Sequence, residues 1–208
     1  MSSNTHRVLP RGPHQLAREE VLASQRGRML DAMAEVVAEK GYAAATVADV
    51  IERARVSRKT FYEHFPDKEA CFLAAFDAGA EILLGTVEAA DPGTGGPLER
   101  ARARVRAYLQ TLAAEPAFAR TLIIEVVAAG PRALERRREI FAAFADASRR
   151  IAREEGLGEG VPDEAYLGAV GAANEIVADW LADGRGHELE QLEDALVYVS
   201  AALLVGPT

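Results

Sequence analysis

Residues 46–68 read TVADVIERARVSRKTFYEHFPDK, and this stretch decides the fold because it contains two short helices joined by a tight turn. Thr46 precedes Asp49 by three residues, which is the spacing of a capping box at a helix start. Ser57 gives a second start signal, because its hydroxyl can accept a hydrogen bond from the free backbone N–H groups of the next turn. Only two residues remain for the bend, so the stretch predicts a helix-turn-helix.

The apolar residues of these two helices identify their buried faces. In the first helix they recur at i, i+3, i+4 and i+7, as in an amphipathic helix, and they are Val47, Val50, Ile51 and Ala54. In the second helix Phe61 and Phe65 lie four residues apart and point inward. The opposite arc consists of Lys59, Thr60 and Glu63, with Tyr62 and His64 at its margins and Pro66 after its end. Its cation and hydroxyl groups suit phosphate oxygens and base edges of DNA, and the alternative is an ordinary solvated face.

Residues 41–76, GYAAATVADVIERARVSRKTFYEHFPDKEACFLAAF, resemble the DNA-binding domain of the TetR family of transcriptional regulators. The motifs that carry the resemblance are Gly-Tyr after the first helix, Thr-Val, Val-Ser, Thr-Phe-Tyr, His-Phe and Lys-Glu. The resemblance implies that the third helix of the domain enters the major groove of operator DNA. The positions that it matches to base or phosphate contacts are Ser57, Arg58, Lys59 and Thr60. Those that it matches to contacts with the DNA backbone are Thr46, Tyr62, His64 and Lys68, with Arg26 and Arg28 at the entrance of the first helix.

Arg55 departs from the family pattern, since many relatives have glycine in this turn, where a left-handed backbone is convenient. A residue other than glycine costs about 1 to 2 kcal/mol in that conformation. Arg55 therefore indicates either strain, a slightly different turn, or an additional phosphate contact beside its basic neighbours. The sequence leaves these alternatives open, and we include Arg55 among the candidate DNA contacts.

The net charge of the chain is −8, which is unusual for a protein that binds nucleic acid. Residues 1–70 carry 11 Lys and Arg against 10 Asp and Glu, and residues 71–208 carry 13 against 22. The acidity therefore lies outside the predicted DNA-binding part. Because exposed charges are screened beyond about 8 Å in physiological salt, the local charge governs attraction to phosphate.

Composition and motifs argue against other classes of protein. Ala, Arg, Glu and Leu dominate and alternating β-branched patterns are few, which predicts an all-α chain. The four histidines are scattered without an HExxH pair or a cysteine cluster, and no nucleophile elbow is present, so we expect no metal, no cofactor and no enzymatic activity. GLGEG at residues 156–160 follows a helical run and lacks the Lys-Ser/Thr pair of a phosphate loop, so it is interpreted as a helix-ending loop.

The sequence also predicts a cytoplasmic protein with no membrane partner. Cys71 is the only cysteine, so no disulfide can form within the chain. The N-terminus has no signal-peptide core, and no uninterrupted apolar run approaches the length of a membrane span.

The chain divides into three predicted parts. Residues 1–23 form a flexible basic arm, either a DNA-reaching arm or a simple tail; residues 24–85 form the helix-turn-helix domain; and residues 91–208 form a helical bundle for effector binding and dimerisation. The clearest linker is DPGTGGP at residues 91–97. Asp67 caps a helix that continues toward Ala90 and joins the two folded parts. Further helices are predicted at about 97–114, 117–129, 131–155, 162–183 and 187–205.

Aromatic and polar residues that interrupt the Ala/Leu/Val-rich C-terminal helices are candidates for a small-effector pocket, because the TetR resemblance implies one there. They are Tyr108, Phe118, Glu125, Phe141, Phe144, Asn174, Glu175 and Trp180. Any of the aromatics can equally be core. Glu125 lies within LIIEVV and needs a partner or water if it is buried. The cluster Arg132, Arg136, Arg137 and Arg138 can receive an anionic effector, but we favour a solvated face.

Two C-terminal helices show heptad spacing, which predicts a dimer interface built as a four-helix bundle. The predicted interface residues are Leu167, Val170, Val177 and Leu181 in one helix and Leu189, Leu192, Leu196, Val199 and Leu203 in the other. Packing inside one subunit uses the same seam and stays an alternative. Asn174 falls on the seam, where it can fix the register or line the pocket. A two-fold dimer predicts an inverted-repeat operator.

Together these features predict a homodimeric transcriptional regulator that binds double-stranded operator DNA. The TetR resemblance implies a repressor, and we expect a small hydrophobic or amphipathic ligand to release it from the operator. The alternatives are an activator of the same fold and an α-helical interaction module without specific DNA binding. The interaction module would leave the outer face of the third helix unexplained.

Overall fold

The computed structural model describes the backbone of residues 13–205 and the surroundings of side chains from residue 22 to residue 202. Within that range the fold is all-α, as predicted, and contains no strand. The α-helices are α1 Pro13–Lys40, α2 Val47–Ala54, α3 Arg58–His64, α4 Lys68–Ala89, α5 Pro97–Ala114, α6 Pro116–Ile123, α7 Pro131–Glu154, α8 Asp163–Ala182 and α9 Glu193–Val205. Two 3₁₀ segments, Glu125–Ala129 and Gly186–Leu192, precede α7 and α9.

Helix α1 begins earlier than predicted, at Pro13. Proline suits the first position of a helix, because its φ is already helical and its missing N–H has no partner there. Residues 15–23, QLAREEVLA, are mostly good helix formers. The prediction of a flexible arm is therefore wrong for residues 13–23, and its first part, residues 1–12, lies outside the described residues.

The helix-turn-helix forms through the predicted capping bonds. The Thr46 hydroxyl accepts a hydrogen bond from the Asp49 N–H at 3.2 Å, and the Asp49 carboxylate accepts one from the Thr46 N–H at 2.9 Å. The Ser57 hydroxyl accepts one from the Thr60 N–H at 3.0 Å. Between the helices Arg55 has φ 53° and ψ 48°, the left-handed conformation. The turn thus places an arginine where glycine is preferred.

Helix α4 is the central helix of the molecule and contacts α1, α5, α6 and α7. Asp67 caps it as predicted, accepting a hydrogen bond from the Ala70 N–H at 2.8 Å. By length and composition α4 is apolar enough to cross a membrane, with a mean hydropathy of 1.6, although Asp77 and Glu81 interrupt its apolar run, as predicted. Its contacts with four other helices account for its apolar composition, since buried side chains such as Phe72 and Leu83 contribute to the core.

The C-terminal helices follow the predicted order, with two differences. The helix predicted at 117–129 ends at Ile123 and continues as a 3₁₀ segment, and the one predicted at 187–205 begins as a 3₁₀ segment. Residues 156–160 form the predicted loop between α7 and α8.

Contacts between α6 and the N-terminal helices join the two halves of the chain. The Thr121 hydroxyl donates to the Ala34 carbonyl at 3.1 Å, and the Glu125 carboxylate accepts a hydrogen bond from the Tyr42 N–H at 2.9 Å. One continuous hydrophobic core runs from α1 through α9. The position of the helix-turn-helix is therefore fixed against the C-terminal bundle.

Candidate DNA-binding surface and ligand cavity

Helix α3 has one buried face and one exposed face, as the sequence predicted. Phe61 and Phe65 are 0% and 4% exposed and anchor the helix in the core. On the outer face the Lys59 side chain is 86% exposed and Tyr62 is 48% exposed. Arg58 and Glu63 complete this outer face. A cationic and aromatic surface of this kind is free to meet a polyanion.

The contacts that hold the outer face of α3 are weak ones. Lys59 lies 3.7 Å from Glu63, and the Arg58 guanidinium lies 6.0 Å from the centre of the Tyr62 ring. The Thr60 hydroxyl is 2.9 Å from that of Ser57. An exposed ion pair contributes only about 0.2 to 1 kcal/mol, so exchanging it for a phosphate contact costs little.

Several of the predicted DNA contacts also support the motif from within. Lys68 Nζ donates to the carbonyls of Tyr42 and Ala45 at 2.8 and 2.9 Å and lies 4.3 Å from the centre of the Tyr42 ring. Arg28 Nε donates to the Ala54 carbonyl at 3.3 Å and so connects α1 to the end of α2. His64 Nε2 is buried and has no hydrogen-bond partner among the described residues. Direct contact of these residues with DNA stays a prediction.

Acidic residues on the side of α1 and α2 are paired internally. Arg53 lies 2.7 Å from both Glu35 and Glu39, and its hydrogen bond holds the pKa of Glu39 below its usual value. Lys40 lies 2.6 Å from Asp49, and its hydrogen bond, aided by those of the Thr46 cap, lowers the pKa of Asp49 to about 2. These pairs offset negative charge near the motif.

A cavity of about 170 Å³ lies among helices α4 to α9 of the C-terminal half. Four of the eight predicted pocket residues line it: Tyr108, Phe141, Phe144 and Asn174. Asn174 is 5% exposed, so its position on the seam faces the cavity. The remaining lining is mostly apolar, and α4 contributes one wall through residues from Phe76 to Val87.

The other four predicted pocket residues lie elsewhere, which corrects that part of the prediction. Phe118 packs on Gly79 so closely that a side-chain carbon there would lie 1.6 Å from its ring. Glu125 bonds to the Tyr42 N–H and lies 3.4 Å from Arg120. Glu175 is exposed, and Trp180 lies under the Arg185 guanidinium at 3.5 Å. Each side chain thus has its own partner or faces solvent.

Two arginines line the cavity: Arg104, which the sequence did not suggest, and Arg137, for which a solvated face was favoured over an effector contact. The Nε atom of each is buried and has no hydrogen-bond partner among the residues described. Burial lowers the pKa of both guanidinium groups. The signal was helical spacing, because Arg137 shares a face with Phe141 and Phe144, and Arg104 shares one with Tyr108.

The predicted solvated face of α7 is correct for three of its four arginines. Arg132 and Arg136 lie 3.3 and 2.9 Å from carboxylates of α4, and Arg138 is exposed. The prediction is wrong for Arg137, because successive residues lie about 100° apart around a helix and Arg137 falls on the face of Phe141 and Phe144, which line the cavity.

Most of the predicted dimer interface is buried within the single chain. The residues concerned are Val177, Leu181, Leu189, Leu192 and Leu196, none more than 6% exposed. Leu196 and Val170 line the cavity, and Val199 is partly buried. Leu167 is 45% exposed, while the side chain of Leu203 lies outside the described residues. The prediction is wrong for the buried residues because a seam inside one bundle has the same spacing as a seam between subunits.

Comparison with known proteins agrees with this architecture. Residues 29–75 match the sequence model for bacterial regulatory proteins of the tetR family. The HTH-type transcriptional activator FasR of Mycolicibacterium smegmatis (strain ATCC 700084 / mc(2)155) is 34% identical over 84 residues, which are 40% of this chain and 38% of that protein. The match therefore spans about two fifths of the length of that relative.

Solved structures share the fold over most of the chain. The fatty acid degradation regulator FadR from Bacillus halodurans has a TM-score of 0.75 at 19% identity, covering 86% of this chain and 94% of that one. The regulator FadR from Bacillus subtilis in complex with stearoyl-CoA has a TM-score of 0.71 at 19% identity, covering 87% and 98%. A tetR-family regulatory protein from Rhodococcus RHA1 has a TM-score of 0.70 at 23% identity, covering 86% and 96%. Residues 29–75 thus match the tetR family of bacterial regulatory proteins, and the solved structures share the fold of the chain as a whole.

Proposed function

We propose that this protein is a transcriptional regulator that binds operator DNA through the outer face of α3. The observation that carries the proposal is the exposed basic and aromatic face of α3, held outward by the buried Phe61 and Phe65. The major groove of B-DNA is wide enough to admit such a helix. Ser57, Arg58 and Lys59 lie at its start, where recognition helices contact base edges.

Lys59→Ala tests this surface directly. We expect weaker binding to the operator by about 1 to 3 kcal/mol, with relaxed preference at one base pair, because a base contact is lost. Fluorescence anisotropy on operators selected from genomic fragments measures it, and Arg138→Ala, which removes an exposed arginine from α7, is the control. Equal operator affinity in wild type and Lys59→Ala contradicts the assignment.

A ligand in the cavity is proposed to control DNA binding through α4. One stretch of α4, from Phe76 to Val87, lines the cavity. At the start of the same helix, Lys68 donates hydrogen bonds to the loop before α2. The cavity of about 170 Å³ is smaller than the roughly 300 to 1,000 Å³ typical of ligand pockets. A larger ligand must therefore displace a wall. The stearoyl-CoA bound to the Bacillus subtilis regulator of this fold supports an effector with an apolar chain.

Ligand control is testable by reciprocity. Operator DNA must weaken ligand binding by the factor by which the ligand weakens DNA binding, typically 1 to 3 kcal/mol. Titration of the effector with and without operator measures both sides of this cycle. An effector affinity that is unchanged by operator DNA rules out allosteric control.

The proposed outcome of DNA binding is repression in the cytoplasm, with release by the ligand. The second candidate is activation, favoured by the name of the Mycolicibacterium smegmatis relative, whose identity to this chain covers 84 residues. A reporter fused to a bound promoter distinguishes the two. Loss of this protein raises expression if it represses and lowers expression if it activates.

We also propose that the protein acts as a dimer, through the exposed faces of α8 and α9. Leu167 on α8 is 45% exposed and Tyr198 on α9 is 77% exposed. Small residues, Gly168 and Ala172, are exposed on α8 after Leu167 and permit close approach of a second copy. Leu167 belonged to the predicted interface and stays in it, while Tyr198 takes the place of the buried residues of the predicted seam.

A further inference from the structure

The ligand cavity is long and its walls are mainly apolar. Its lining along α4 runs from Phe76 to Val87, which spans roughly 16 Å at 1.5 Å per residue. The lining along α7 runs from Arg137 to Ile151, roughly 21 Å. These dimensions suit an elongated aliphatic chain better than a compact ring system.

Arg104 contributes a cation to this apolar surface, and its Nε atom has no hydrogen-bond partner within the part of the chain that the structure describes. The carboxylates whose negative charge acts on Arg104 are those of Asp91 and Glu88. Asp91 already accepts hydrogen bonds from Arg100 at 2.8 Å, and Glu88 accepts one from Arg150 at 3.2 Å. The positive charge of Arg104 is therefore the one in this group that is left to face the cavity.

Arg137, the second cavity arginine, has a different environment. Its guanidinium lies 4.1 Å from the centre of the Phe141 ring, in the geometry of a cation–π contact. This contact compensates part of the cost of burying the charge. Arg137 therefore serves as a comparison for Arg104 within the same cavity.

We propose that the cavity binds a single-chain amphiphile whose anionic headgroup is held by Arg104, with the aliphatic chain along α4 and α7. The planar guanidinium donates to carboxylate or phosphate oxygens in a bidentate fork, so either group satisfies the buried Nε. This proposal rests on the proposed ligand control only in taking this cavity as the effector site. An uncharged amphiphile would leave the guanidinium unsatisfied, which costs binding free energy.

Isothermal titration calorimetry of the full chain without DNA tests the headgroup. The probes are dodecanoate, dodecyl phosphate and 1-dodecanol, which share one chain and differ in the headgroup. We expect at least one anionic probe to bind about tenfold or more tightly than the alcohol, as a charged hydrogen bond implies. The probe that binds more tightly, dodecanoate or dodecyl phosphate, shows whether Arg104 holds a carboxylate or a phosphate headgroup. Equal affinity for all three probes, or no binding of any, overturns the proposal while leaving DNA binding as a separate measurement.

Arginine variants test the residue. Arg104→Met should remove the preference for the anionic probe over 1-dodecanol, while Arg138→Met, on the exposed side of α7, should keep it. The melting temperature of ligand-free Arg104→Met should rise, because an incompletely bonded guanidinium leaves the interior. Loss of the preference in Arg137→Met but not in Arg104→Met overturns the assignment. So does a lower melting temperature of Arg104→Met together with weaker binding of 1-dodecanol, which would indicate a structural role.

Discussion

Arg55 shows how a single backbone position is fixed by its neighbours. The Val56 N–H donates to the Ile51 carbonyl at 3.2 Å, which is the long bond of a Schellman motif. That motif requires a left-handed residue before Val56, and Arg55 supplies it at φ 53°. Of the three alternatives that the sequence left open, a different turn is excluded and strain is present, while contact of Arg55 with phosphate stays a prediction.

Arg55→Gly should stabilise the protein. The substitution releases about 1 to 2 kcal/mol of strain, but the greater freedom of glycine in the unfolded chain cancels part of that gain. We therefore expect the free energy of unfolding to rise by about 1 kcal/mol. Urea unfolding measures the free energy of unfolding. Arg55→Ala is the control, because it removes the charge and keeps the strained conformation. Equal effects of the two variants would show that strain is not the cause.

Lys68 is a second residue whose surroundings decide its role. Lys68→Met should lower the free energy of unfolding by about 1.5 to 3 kcal/mol, because two carbonyls lose a charged donor. Lys59→Met, which removes an exposed lysine from α3, should leave stability unchanged. If Lys68 acts only on DNA phosphate, Lys68→Met will keep its stability and only the salt dependence of DNA binding will fall, by a slope of about one.

At the scale of helices, the sequence predicted elements well and their partners poorly. Capping residues and Pro or Gly signals gave the bounds of α2 to α5 and α7 because these are local interactions. The 3₁₀ segments at residues 125–129 and 186–192 were missed, since an apolar run does not distinguish the two helical forms. The seam of α8 and α9 was assigned to a dimer because spacing reveals that a face is buried and not what covers it.

The junction of α5 with α9 gives a pH-dependent prediction. Glu193 is bonded to Arg106 and Arg102 at 2.8 Å, and these bonds lower its pKa from 4.5 to about 2. Because the folded pKa lies below the unfolded one, the stabilisation is present above about pH 4.5 and is lost as pH falls toward 2.

Glu193→Gln tests this, because the variant lacks the ionised carboxylate and its stability can be compared with that of wild type at each pH. The variant should be less stable than wild type at pH 7, and the two should converge between about pH 4.5 and 2. Chemical unfolding at several pH values measures the convergence. A constant difference across that interval would show that the ionised carboxylate is not responsible.

At the scale of the molecule, the sequence predicted a pocket among the C-terminal helices but only part of the lining of the cavity found there. Four predicted residues line the cavity, while Arg104 was not suggested and Arg137 was assigned to a solvated face, because charged helical positions are usually exposed. Their inward placement follows from the packing of α5 and α7 against α4, which depends on contacts distant in sequence.

The dimer prediction belongs to this scale. Tyr198→Glu should yield a folded monomer, because Tyr198 is 77% exposed in the single chain, and a buried charge would oppose association. Sedimentation equilibrium measures the mass, and Ile82→Glu, at a 63% exposed position of α4, is the control. Leu196→Glu should instead unfold the protein, since Leu196 is 2% exposed. A dimeric Tyr198→Glu protein would place the interface elsewhere.

The two hydrogen bonds that join α6 and the following segment to the N-terminal half, from Thr121 to Ala34 and from Tyr42 to Glu125, affect how the chain opens. Because one core crosses both halves, backbone amides in α1 should exchange with deuterium only through openings that also release α6. The packing of the C-terminal bundle against α1 then slows the exchange of the amides of the helix-turn-helix part. A ligand bound in the cavity is therefore expected to lengthen the lifetime of this closed state, which deuterium exchange of α1 amides with and without the ligand would measure.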